Sequence, residues 1–221
     1  MPDRVVSSCQ VAVAGVKSGD TVMLSGFGAA GVPLGLIAAV LDTGVRDLTI
    51  IANNAGLGGA DLTSWLLAGI VRKIICSYPR TSPACVSLWR QGKLDVEVLP
   101  QGTLAERIRC AGAGLGGFYS PVSVGTALAA GKEHRVIGGR EYVLELPLHA
   151  DIALIKAHRA DRAGNLTYRM TARNFAPAMA TAAKLVIAEC AELVDVGEID
   201  PEHVVTPGIF VDLLVVQRRP A

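Results

Sequence analysis

No segment of this 221-residue sequence runs ~18 residues without a charge or a turn residue, so no membrane span is expected. The hydrophobic fraction is high, 51%, but alanine and glycine supply much of it. The first ten residues, MPDRVVSSCQ, have neither an apolar core nor a cleavage pattern, and no signal peptide is expected. Charge of one sign is also lacking. The formal net charge is +1 with no basic stripe, which argues against nucleic acid as a partner. The five cysteines (Cys9, Cys76, Cys85, Cys110, Cys190) are odd in number and lack metal-ligand spacing. A reduced, cytoplasmic setting without a bound metal fits them best. Internal repeats, low-complexity linkers and clear boundaries are absent, so residues 1–221 are expected to form a single domain.

What is present is an alternation of apolar runs and helical segments. Strands are expected at 21–25, 48–52, 73–77 and 96–99, with helices at 34–42, 61–68 and 84–91 between and after them. Continuous apolar strands joined by helices indicate a parallel sheet covered on both faces. The second half is more mixed. Strands are expected at 142–146, 152–157, 185–189 and 211–216, a turn at Gly164-Asn165 before a short run at 166–169, and a small-residue helix at 172–183. The fold class is therefore α/β, a three-layer α/β/α arrangement with a mostly parallel sheet.

The most informative stretch is 98–126, VLPQGTLAERIRCAGAGLGGFYSPVSVGT. It sets Gln101 after an apolar strand and before a helix start. Thr103-Leu104-Ala105-Glu106 has the form of a capping box, which predicts a helix beginning at Thr103. Gln101 then lies near the positive helix end, where its amide N–H either donates to an oxyanion or satisfies loop backbone. Gly112, Gly114, Gly116, Gly117 and Gly125 follow, and they permit close backbone approach. The stretch contains no evident nucleophile, so the reactive group is expected on another polypeptide.

Gly26-Phe27-Gly28-Ala29-Ala30-Gly31 matches G-x-G-x-x-G between a strand and a helix. A dinucleotide fingerprint also needs an acid at the end of the next strand. That strand ends in Asn53-Asn54, and the nearest acid, Asp47, precedes it. Three readings stay open: a structural turn, a nucleotide-dependent oxidoreductase, or a loop packed against another phosphate-bearing or pantetheine-like ligand. Asn53 and Asn54 follow the second strand, where they either orient a substrate or form a turn. Arg80 is a candidate partner for a substrate carboxylate, with a surface ion pair as the alternative. His149, His158 and Asp161 form no visible triad or metal set and read as structural. Glu145, in an apolar run, lacks the glycine-flanked setting of an exposed nucleophile.

In order along nearly the whole chain, the segments SGFGAAGVP, RDLTIIANNAG, VRKIICSYPR, LPQGTLAERIRCAGAGLGGFYSP, LHADIALIKAHRADRAGNLTYR, ARNFAP and VTPGIFVD resemble the α subunit of family I coenzyme A transferases. Two departures stand out: Ser25 where glycine is usual, and Val122-Ser123 in place of Thr-Gly. The resemblance implies a CoA-transferase, Rossmann-like fold and a separate CoA-transferase β subunit in an α2β2 heterotetramer. It implies a nucleophilic glutamate on that partner, with Gln101 as the catalytic oxyanion donor. It assigns CoA binding to Ser25, Gly26, Phe27, Gly28, Ala29, Ala30 and Gly31, with Gly114, Gly116 and Gly117 bordering the same channel. It implies no cofactor or metal beyond coenzyme A itself, which is a substrate. Asn53-Asn54, the CSYPR run and PLHAD look most like 3-oxoadipate:succinyl-CoA transferases of the β-ketoadipate route of aromatic catabolism. RCAGAGLGGF looks as much like acetoacetate or short-chain fatty-acid CoA transferases. In the first case Asn53, Asn54 and Arg80 face the acyl substrate.

Overall fold

The structure, a computed structural model, describes residues 4–217. A short strand β1 (Val5–Val6) and a four-residue helix α1 (Cys9–Ala12) precede the alternating part. There β2 (Thr21–Leu24), α2 (Leu34–Asp42), β3 (Leu48–Ala52), α3 (Leu62–Leu67), β4 (Val71–Cys76), α4 (Pro83–Arg90), β5 (Asp95–Val98) and α5 (Gln101–Gly112) follow one another. Then come three short strands, β6 (Phe118–Ser120), β7 (His134–Ile137) and β8 (Arg140–Glu145). The chain closes with β9 (Ala150–Asp161), β10 (Leu166–Thr167), α6 (Ala176–Ala182), β11 (Ala183–Val194) and β12 (Leu213–Val216).

Nine strands form the main sheet. Its order is β1-β12-β11-β9-β2-β3-β4-β5, with every neighbouring pair on that path parallel and β10 added antiparallel to β9. Successive residues point to opposite faces, and both faces are apolar. Val22, Leu24, Ile50 and Ile74 enter one core with α1, α2, α3 and α4, where fully buried Trp65 donates to Ile37 O at 2.9 Å and ties α3 to α2. Met23, Ile51 and Ile75 enter the other core with Leu104 and Ile108 of α5 and Met179 of α6. This is the expected three-layer α/β/α arrangement. Between β2 and β9 the winding direction reverses: β3 to β5 extend one way, β11 and β12 the other. In open α/β sheets such a reversal opens a crevice at the carboxyl ends of the strands.

Four readings of the sequence need correction. The helix expected at 172–183 is shorter. A 3-10 turn at Met170–Arg173 precedes α6, and β11 starts directly at Ala183, so the two long strands β9 and β11 can pair from end to end. The helix expected from Thr103 begins at Gln101, with Pro100 at the cap and no side-chain cap bond. Thr103 is buried against the sheet with an unpartnered hydroxyl, and Glu106 pairs with Arg109 (2.9 Å) instead of reaching back. Burial of the first turn overrode the capping pattern. The antiparallel sheet β6-β8-β7 was not expected, because β7 is exposed at all four positions and has no inside-outside alternation to read. Nor were β1 and α1, which are too short to carry a period.

Candidate active site

Four loops leave the carboxyl ends of adjacent strands on the β2 side of the reversal. Asn53 and Asn54 follow β3, and the Asn53 carbonyl accepts from Ser77 N (3.0 Å) and Tyr78 N (3.1 Å) after β4. Gln101 follows β5 and opens α5. The hairpin 25–31 follows β2 and closes on itself through paired Phe27–Ala30 bonds of 3.0 and 3.1 Å. The hairpin and the β3 loop border a small cleft of about 20 Å³ lined by Gly26, Gly28, Val32, Asn53, Asn54 and Asp61 among others, with Gln101 reaching it through Asn53.

The side-chain amides at this cleft form a directed relay. Gly56 N–H, which can only donate, binds Asn54 Oδ1 at 2.9 Å. Asn54 Nδ2 therefore turns toward Asn53 Oδ1, 3.5 Å away, and Asn53 Nδ2 donates to Gln101 Oε1 at 2.8 Å. With its oxygen held, Gln101 presents Nε2 outward, and that nitrogen has no hydrogen-bond partner among the described residues. A fixed N–H donor at the first turn of a helix suits a carbonyl oxygen that gains negative charge.

The hairpin differs from a dinucleotide loop. The first N–H groups of α2 are already taken: Glu189 Oε2 accepts from Gly35 N (2.8 Å) and Leu36 N (3.1 Å). Glu189 is fully buried and pairs with Lys156. A carboxylate sits where a pyrophosphate would bind, which corrects the oxidoreductase reading of Gly26–Gly31. Ser25 is buried, donating from Oγ to Gly31 O (2.7 Å) and accepting from Lys156 N (3.1 Å), so its hydroxyl holds the hairpin together. Phe27 is half exposed at the hairpin tip.

Arg80 lies on the 3-10 turn Pro79–Thr81, exposed and without an ion pair among the described residues. Thr81 Oγ1 ties that turn to Gly56 O at 3.3 Å, which brings Arg80 to the rim of the asparagine loop. The glycines at 114, 116 and 117 are elsewhere. They follow the far end of α5, about 18 Å along the helix from Gln101, so the structure does not bring them to it. Gly112 packs α5 on α6, where a Cβ would lie 1.9 Å from Thr181 Oγ1.

The carboxylate lining this cleft, Asp61, is committed to backbone: Oδ1 caps α3 by accepting from Thr63 N (2.9 Å) and Oδ2 accepts from Leu57 N (2.6 Å). The five cysteines are buried and free, and burial pushes Cys76 up to about 12 and Cys190 to about 11, leaving neutral thiols. The buried carboxylates Glu145 and Glu189 are each held by a lysine, Lys132 (2.5 Å) and Lys156. Among the described residues, no group of three His, Cys, Asp or Glu is placed to hold a metal, and no helix is long and apolar enough to cross a membrane.

Residues 6–217 match the family model described as Coenzyme A transferase. The chain belongs to the coenzyme A transferase family. This transferase chain is 57% identical to the α subunit of the 3-oxoadipate CoA-transferase of Pseudomonas putida, over 97% of its own length and 94% of that protein's. It is 47% identical to the α subunit of the probable succinyl-CoA:3-ketoacid coenzyme A transferase of Bacillus subtilis, over 96% and 89%. Its fold matches the acyl-CoA transferase apoenzyme of Escherichia coli O157:H7 with a TM-score of 0.86 at 23% identity, covering 97% of this chain and 47% of that longer one. The chain thus spans about half of that polypeptide but nearly all of the two α subunits.

Three residues that hold the loops of this site escaped the sequence reading: Lys156, Glu189 and Asn174, whose side chain binds Gly26 N (3.1 Å) and Ala30 O (3.0 Å) of the hairpin. Glu189 left a readable signal, an acid inside the apolar run LVIAEC, since a buried charge requires a partner. Asn174 left none beyond its place in ARNFAP.

Proposed function

We propose that this chain is the α subunit of a heteromeric CoA transferase that moves coenzyme A from succinyl-CoA to a 3-oxo acid, 3-oxoadipate in the first instance. The observation that carries the reading is the amide relay ending in Gln101 Nε2, which has no partner among the described residues. A glutamate on the β subunit makes the attack on the thioester carbonyl, and Gln101 Nε2 donates to the oxyanion that forms. The C–S bond breaks, giving an acyl–glutamyl anhydride and CoA thiolate. The thiolate then attacks the glutamyl carbonyl, releasing succinate and leaving a glutamyl-CoA thioester. The incoming acid takes over CoA by the reverse steps, so no metal or further cofactor takes part. Residues 25–31 are the hairpin along which coenzyme A lies. Gly114, Gly116 and Gly117 border the outer part of the same channel, beyond the reacting carbonyl.

Arg80, unpaired among the described residues and at the rim beside Asn53 and Asn54, supports a dicarboxylate such as 3-oxoadipate, because its guanidinium can take the second carboxylate. Relatives named for 3-oxoadipate match at 57% and for 3-ketoacids at 47%. The second reading, acetoacetate or a short-chain fatty acid as acceptor, draws on the latter match. We place the enzyme in the cytoplasm as an α2β2 complex in aromatic catabolism. The test is reconstitution with the β subunit. Transfer is expected only from the pair, with kcat/KM for 3-oxoadipate at least about tenfold above acetoacetate, a margin of ~1.4 kcal/mol. Full activity from the isolated chain overturns the shared site, and a preference for acetoacetate selects the second reading.

A further inference from the structure

One side chain outside this reaction scheme holds the 25–31 hairpin from the outer side. Asn174 Oδ1 accepts from Gly26 N (3.1 Å) and Phe175 N (2.7 Å). Its Nδ2 donates to Ala30 O (3.0 Å) and Thr171 O (3.0 Å). A primary amide has two donors and two good acceptor directions, and Asn174 spends all four on backbone. Two of the four bonds go to the open ends of the hairpin, one to each arm.

The contact is close as well as polar. A Cβ on Gly31 would lie 2.5 Å from Ala172 O, so the hairpin backbone meets the 171–174 segment directly at that point. That segment is itself anchored. Phe175 and Ala176 are buried in the core beneath α6. On the inner side, Ser25 Oγ binds Gly31 O and Lys156 N and so ties the hairpin to β9. The hairpin is therefore fixed at two points, one in the sheet and one in Asn174.

We infer that Asn174 is a positioning residue for the thioester substrate: through the Gly26 N–H and the Ala30 carbonyl it holds the hairpin in the shape that coenzyme A meets. This rests on the function proposed above and deepens it. Asn174 acts through the hairpin and touches neither the reacting carbonyl nor Gln101. Loosening it leaves the hairpin to be ordered by the ligand, and that cost falls on affinity for the CoA-bearing substrate alone.

The experiment uses the reconstituted complex with Asn174→Asp, which keeps size and both acceptor bonds but loses both donors, and Asn174→Ala, which loses all four. For Asn174→Asp, KM for succinyl-CoA is expected to rise about tenfold, the equivalent of one to two hydrogen bonds, with kcat and KM for the free acid within about twofold. Amide exchange in the 25–32 peptide is expected to speed up in both variants. Unchanged exchange together with an unchanged KM for succinyl-CoA overturns the inference. So does an equal rise in both KM values with a lowered melting temperature, which is the signature of general destabilisation. If the wild-type pair transfers no CoA, the proposed function falls, and the exchange measurement still decides whether Asn174 holds the hairpin.

Discussion

Asn53 Nδ2 donates to Gln101 Oε1 across 2.8 Å, and the chain of amides behind it ends on the Gly56 N–H. A backbone N–H cannot reverse its role, so the sense of every amide in the relay follows from that one fixed donor. Gln101 consequently offers nitrogen, not oxygen, to whatever enters the cleft.

Reversing the relay at its last link is therefore expected to cost as much as deleting its end. Gln101→Ala should lower kcat of the reconstituted enzyme on the order of 10²-fold, as loss of an oxyanion donor does. Asn53→Asp replaces the donor with a carboxylate that captures Gln101 Nε2, and kcat should fall by a similar factor with the fold intact. Single-turnover rates on both variants check this. A kcat within twofold of wild type for Asn53→Asp would show that the relay does not orient the donor.

Arg80 is exposed and unpaired among the described residues, so its removal costs the fold little. Arg80→Ala should raise KM for 3-oxoadipate by about 10-fold or more, on the order of one charge-assisted bidentate contact, and leave acetoacetate unaffected. Steady-state kinetics with both acceptors read the difference. Equal effects on the two acids would remove Arg80 from acceptor recognition.

Glu189 stabilises the start of α2 and neutralises Lys156 at once. Glu189→Gln keeps a hydrogen-bond acceptor for the helix but strands the lysine, which should destabilise the chain by about 3 kcal/mol. Adding Lys156→Met should recover most of that loss, because no charge is then left buried. Urea denaturation of the two variants measures both steps, and a double variant no better than the single one contradicts the account.

Asp151 gives the fold a pH dependence of known sign. Its carboxyl is held below the usual 3.8, first by the Thr21 N–H at 2.9 Å and then by Lys184. A carboxyl whose folded pKa is depressed contributes stability that is complete above its unfolded pKa and lost as pH falls through the folded one. The stability gap between wild type and Asp151→Asn should therefore be constant from about pH 5 to 7 and narrow as pH falls through the unfolded value of about 3.9 and below. Denaturation midpoints across that range test it, and a gap that does not narrow at all on acidification would assign the effect to shape.

The strands β2 to β4 were legible because each is a short, mostly buried apolar run separated from the next by a helix with its own period. Gln101 was legible from its place between a strand and a helix, and the paired asparagines from theirs after β3. Thr103 misled because a capping box is a local pattern, and here the sheet claimed that side chain for the core. Strand β7 was silent, unlike its partner β8, because all four of its residues are exposed and burial imposes no alternation on it.

Composition and periodicity alone determined the layered α/β architecture, since that depends on residue types and on the two side-chain periods of strand and helix. Tertiary structure decided what Gly26–Gly31 can bind and which way Gln101 faces. Both depend on residues distant in sequence, Glu189 against α2 and Asn53 against Gln101, which only the winding of β9, β11 and α5 onto one sheet brings within hydrogen-bond reach.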